Sequence, residues 1–155
     1  MDKQIFQRVR RSLGVCAAVL ALTACSAATT PWYEGSWQVS DTRFPAVSAM
    51  SAEQAEDWLG QSVLYTPDYA EYAGERCEQP SYSEAELDQR EFYTLYRVRF
   101  EQLDIEGPMV TLLHVSCDND WQTPATTFIK VNETRGYMTW DGVFFELIKR
   151  PAPRA

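Results

Sequence analysis

The sequence predicts a mainly β domain with two short helices, an α+β chain of about eight antiparallel strands that close into a barrel. The alternative on the same strand count is a β-sandwich with the helices on one side. Three observations predict this class. Short runs of period-two alternation recur through the chain from Pro31 onward, turn residues separate them at close intervals, and a two-residue Asp141-Gly142 turn joins the last pair. The composition, 45% hydrophobic and 23% charged, is that of a globular protein.

The N-terminus is set aside first. Residues 1–24 combine basic residues (Lys3, Arg8, Arg10, Arg11), an apolar run of ten residues from Leu13 to Leu22, and small residues before a cysteine. A bilayer-spanning helix needs roughly 20 apolar residues, so the run reads as a cleaved signal and not as an anchor. Leu22-Thr23-Ala24-Cys25 resembles the lipobox of bacterial lipoproteins. That resemblance implies lipidation of Cys25, attachment to the membrane through the lipid, and a soluble remainder. Ser26 after the cysteine implies transfer to the outer membrane, facing the periplasm of the cell envelope. Arg10-Arg11-Ser12-Leu13 partly matches a twin-arginine signal, but the general secretory route is expected. Residues 25–31 then form a lipidated tether, 32–150 a single β-rich domain and 151–155 a disordered tail.

Ser36 to Ser40 reads as the first strand. Ser51 and Gln54 form a capping box that opens a helix burying Ala55, Trp58 and Leu59 and ending at Gly60. Ser62 to Thr66 and Tyr69 to Ala73 are short strands about Pro67-Asp68. Ser83 with Glu86 repeats the capping-box pattern and predicts a second helix before Arg90. In Phe92 to Glu101 a half-buried strand is expected, with Tyr96, Val98 and Phe100 on one face and Arg97 and Arg99 on the other. Met109 to Cys117 and Thr126 to Val131 follow. In the final hairpin, Trp140 opposes Val143 and Met138 opposes Phe145.

Gly35-Ser36-Trp37 at the start of the first strand resembles the Gly-x-Trp signature of calycins, the lipocalin-like barrels. The resemblance implies that Trp37 plugs one barrel end beneath a basic side chain from the last strand, Lys149 or Arg150. No C-terminal helix follows the barrel, so a small bacterial calycin-like lipoprotein fits better than a true lipocalin.

Charge and cysteines bound the function. The chain has 14 Lys+Arg against 22 Asp+Glu, which argues against nucleic-acid binding through phosphates. Removing residues 1–24 takes away four basic residues and one acidic residue, leaving 10 against 21 and a net charge of −11. The segment Asp68 to Glu91 holds eight of those acids and only two bases, Arg76 and Arg90. Cys77 and Cys117, an even pair in an oxidising compartment, are expected to form one disulfide. His114 has no second histidine or free cysteine as partner, and Asp118-Asn119-Asp120 lacks the glycine and distant glutamate of a calcium loop, so both read as structural. With no catalytic constellation and no cofactor or metal site, the expected function is a non-enzymatic binding module for a small apolar ligand or a protein partner. Alternatives are an inhibitor of a cationic cell-wall-degrading enzyme or protease, lysozyme-inhibitor-like, and an envelope assembly factor.

Overall fold

In the computed structural model, which describes residues 29–151, Asp141 and Gly142 both take positive φ, 50° and 83°. That is the type I′ geometry whose twist matches two antiparallel strands. A Cβ on Gly142 would reach 2.6 Å from the Val47 carbonyl oxygen, so the turn needs glycine for space as well as for φ. The turn joins Arg135–Trp140 to Val143–Lys149 in the expected register, with Trp140 opposite Val143 and Met138 opposite Phe145.

In chain order the elements are β1 (Gly35–Arg43), α1 (Ala52–Glu56), β2 (Ser62–Tyr65), β3 (Tyr69–Tyr72), β4 (Glu75–Glu78), β5 (Ser81–Asp88), α2 (Gln89–Tyr96), β6 (Met109–Ser116), β7 (Thr127–Lys130), β8 (Arg135–Trp140) and β9 (Val143–Lys149). Two 3-10 turns, Phe100–Leu103 and Pro124–Thr126, interrupt the connections on either side of β6. The nine strands form one antiparallel sheet in the order β4-β3-β2-β1-β9-β8-β7-β6-β5. A single sheet forms, not the two packed sheets of the sandwich alternative. Each strand neighbours the next in sequence and the last pairs with the first, as in an up-and-down barrel, except that β4 and β5 do not pair.

The curl of this sheet follows from a covalent distance. Cys77 lies in edge strand β4 and Cys117 directly follows β6, next to the other edge, yet their Cα atoms are 5.7 Å apart across the disulfide. The sheet must therefore bend round until its rims approach. It is a half-barrel, open between β4 and β5, and consistent with a calycin-like fold. Full closure, which would remove both edges, does not occur. Gln79 in the left-handed region (φ 51°) and Pro80 form the short link between these two unpaired strands.

Alternation along the strands sends side chains to two buried faces. Inside the curl pack Trp37, Val63, Tyr65, Leu113, Phe128, Met138, Phe145 and Leu147. On the opposite face Val110, Ile129, Tyr137 and Phe144 are covered by Phe92, Val98, Phe100 and Leu103. This second cluster explains why Tyr137, on the opposite face of the hairpin from Met138 and Phe145, is fully buried as well.

Several expectations are corrected here. Ser83 and Glu86 do not open a helix, because both lie in β5, paired residue by residue with β6 from Ser81 opposite Ser116 to Asp88 opposite Met109. The helix starts at Asp88, whose carboxylate accepts from the Arg90 and Glu91 amides while Glu91 accepts from the Asp88 amide. Phe92 to Glu101 is accordingly no strand. It comprises the body of α2, a left-handed Arg97 (φ 59°) and the start of a 3-10 turn. Tyr96, Val98 and Phe100 still point inward, but α2 puts Phe92 and Tyr96 on one side by i,i+4 spacing, their rings 4.7 Å apart. Among the described residues nine strands form against the expected eight, because β4 and β5 add two and Phe92 to Glu101 removes one. The Ser51 capping box opens α1 with Ala55 buried, but Leu59 is 45% exposed and the helix ends at Asp57, before Gly60.

Candidate functional site

The expected signal segment and the expected lipidation site Cys25 lie outside the described residues, as does the expected tail after Pro151. At one end of the curled sheet Trp37 is fully buried, its ring 4.6 Å edge-on from Phe128. Its indole N–H donates to the Tyr33 carbonyl at 2.7 Å, so the segment before β1 folds back across this end. The Lys149 Nζ sits 5.1 Å from the Trp37 ring centroid and donates to the Trp32 carbonyl at 2.6 Å. Burial lowers the Lys149 pKa, opposed by Glu133 and Glu34 and assisted by Lys130. Gly35, at φ 117°, adopts a backbone angle that a side chain would strain, and an added Cβ would touch the Lys149 stem at 3.4 Å. Arg150 is exposed and joins the sheet through its backbone N–H, which donates to the Ser36 carbonyl.

The interior above this end is filled. Tyr65 stacks on Phe128 at 5.7 Å and its hydroxyl crosses the curl to donate to the Ala125 carbonyl at 2.8 Å. A hollow of about 700 Å³ lies outside the sheet beside α2, against Gln89, Tyr93 and Arg99.

The open seam between β4 and β5 is where the acidic segment comes to rest. On β5, alternation places Tyr82, Glu84 and Glu86 on one face. Tyr82 packs against Tyr33 at 4.8 Å and donates to the Thr66 carbonyl at 2.7 Å, which anchors the strand. Glu84 and Glu86 are exposed, Glu86 accepting from the Thr111 hydroxyl at 2.6 Å. Across the seam Glu75 and Glu78 are exposed on β4, and Arg76 is held by Glu71 at 2.9 Å and stacked over Tyr69 at 4.1 Å. Tyr33, packed against Tyr82, has its pKa raised by burial and then by the carboxylates of Glu34 and Glu84.

The two rims differ. The β4 rim is covered, because Asn119 donates its amide to the Arg76 carbonyl at 3.1 Å and the Trp121 indole donates to the Glu75 carbonyl at 3.3 Å. Among the described residues β5 pairs with β6 alone, so its eight-residue outer rim is free. Asp118-Asn119-Asp120 thus serves as the turn that covers β4. His114 is exposed on β6, and among the described residues no three His, Cys, Asp or Glu side chains are grouped to hold a metal ion.

Comparison with protein-family models, curated proteins and solved structures finds no match. The seam is therefore described by its own chemistry. It offers free backbone donors and acceptors along β5, flanked by carboxylates, and a disulfide that fixes its width at one end. Sequence reasoning found the acids and the disulfide but not the seam, since β4 went unread. The signal for β4 was Ala73-Gly74, both at positive φ (51° and 84°), a second two-residue hairpin turn.

Proposed function

We propose that this chain is a non-catalytic binding module of the bacterial cell envelope, lipid-anchored through Cys25 and resembling the small calycin-like lipoproteins, whose acidic β4/β5 seam docks a cationic protein. The free β5 rim flanked by Glu84 and Glu86 carries the reading. A long unpaired edge is a ready template for an incoming strand, and carboxylates beside it favour a basic one and disfavour self-pairing. The filled interior favours a protein partner over an apolar ligand held within the sheet. Lipidation at Cys25 would hold the acidic domain beside the membrane, within reach of cationic enzymes that act on the cell wall. An inhibitor of such an enzyme and an assembly factor are both forms of this reading.

Lysozyme serves as the cationic probe. Its binding to the purified protein is expected to weaken steeply between about 25 mM and about 300 mM salt, and to weaken further in the Glu84→Gln/Glu86→Gln variant. Binding that ignores both salt and the double substitution sinks the docking reading. For the anchor, Cys25→Ser should yield an uncleaved or soluble protein that no longer partitions into detergent. Full membrane retention by that variant overturns it.

A further inference from the structure

At the end of the curled sheet opposite Trp37, the β3/β4 and β8/β9 turns and the segment before β7 surround a cavity of about 220 Å³. Its walls include the rings of Trp58, Tyr72 and Trp140, and Glu75, Gln122 and Thr123 complete it. Trp58 is fixed in place, stacked on Phe145 at 4.6 Å and 15°, with Tyr72 at 6.0 Å.

Two features of this mouth are unusual for a plain end of a hydrophobic core. Tyr72 and Thr123 are 5% and 4% exposed, and neither side-chain hydroxyl has a hydrogen-bond partner among the described residues. Buried hydroxyls are ordinarily paired, so two orphans in one wall mark this end as one whose own packing leaves polar groups unmatched. The other feature is electrostatic. Three aromatic side chains and one carboxylate line the cavity, and no basic side chain does. That set repels anions and attracts a cation, and a compact ammonium group on an apolar stem satisfies all of it at once. Its charge would face Glu75, and its methylenes would lie against Trp58 and Trp140.

We infer that this mouth is a binding site for an alkylammonium group, supplied either by a small free amine or by a lysine side chain. The mouth shares Glu75 with the β4 side of the seam but neither Glu84 nor Glu86, which carry the docking reading, so the two readings stand on different residues. Burial raises the Tyr72 pKa, which keeps the phenol neutral at ordinary pH.

The test is a titration of the full-length, ¹⁵N-tryptophan-labelled protein with n-butylammonium, followed by NMR of the indole N–H groups. Saturable shifts are expected at Trp58 and Trp140 and not at Trp37, with the isosteric n-butanol binding about tenfold more weakly. Glu75→Gln, an exposed change that leaves the core intact, and Trp140→Ala should each weaken n-butylammonium by about fivefold or more. Nα-acetyl-lysine amide binding more tightly than n-butylammonium identifies a peptide lysine as the source, and weaker binding identifies a free amine. Equal affinity for n-butanol, no saturable shift, or a Glu75→Gln variant that binds as before overturns the inference. The Glu84→Gln/Glu86→Gln variant should leave this titration unchanged, so loss of lysozyme docking alone leaves the mouth site standing.

Discussion

Replacing Trp37 by alanine removes a buried indole, its hydrogen bond to the Tyr33 carbonyl and the surface on which Lys149 rests. The expected cost is about 3–5 kcal/mol, measurable by urea unfolding and close to the whole margin of a domain this size. Lys149→Met keeps the stem and removes only the charge and its hydrogen bond, so about 0.5–2 kcal/mol is expected. Comparable losses from the two variants would contradict this account of the closed end. Buried tyrosines set a second residue-level expectation. Burial pushes Tyr82 and Tyr137 up to about 12, and raises Tyr65 and Tyr72 as well. A phenol with a raised pKa keeps its proton in the fold after the unfolded chain has lost it. Stability is therefore complete below pH 10 and falls as pH climbs from 10 toward 12. Absorbance of phenolate and loss of tertiary circular dichroism should rise together in that window, and early phenolate formation without unfolding would contradict it. Trp37 was legible because Gly35 and period-two alternation need only three adjacent residues. Lys149 was narrowed only to a pair with Arg150, because the end of a strand cannot be read to one residue from pattern alone.

Among the elements, the legible ones were those with local signals strong enough to fix a register, above all the β8/β9 hairpin with its Asp-Gly turn. The failures cluster between Ser81 and Leu103, and their cause is competition between patterns. Ser83-Glu86 and Asp88-Glu91 both match a capping box, but only the second precedes a helix, because the first lies on an edge strand whose exposed acids hide its alternation. The β-like spacing of Tyr96, Val98 and Phe100 spans a helix end, where left-handed Arg97 resets the direction of the chain. The candidate seam was illegible for the same reason, since it depends on which two strands fail to pair, a property of the whole sheet. Asp88 can be tested directly. Asp88→Ala removes the acceptor for two amides and should cost about 1 kcal/mol, with Asp88→Asn restoring most of it. No loss by thermal or urea unfolding would show that α2 is held by Phe92 and Tyr96 alone.

For the molecule as a whole, the Cys77–Cys117 bond is the covalent tie between the two halves of the sheet. Cys117→Ala should lower stability by about 2–5 kcal/mol and, because the rims are then free to separate, make the Trp121 region sensitive to protease before the Trp37 end. Simultaneous cleavage of both would show that the curl holds without it. The pairing of β1 with β9 has a different consequence. Trp37 lies opposite Lys149, about 110 residues away along the chain, so this contact closes the longest loop in the fold. The same pairing brings the segment before β1 beside Arg150, while Gln79-Pro80 links two strands that do not pair. A circular permutant joined across those neighbouring ends and opened at Gln79-Pro80 would keep all eight strand pairings while turning the most distant one into a local hairpin. Its contact order falls, and stopped-flow refolding should be faster than in the parent order of the chain. In kinetic terms, the slow step of this protein is written into where the polypeptide is cut and not into the sheet it forms.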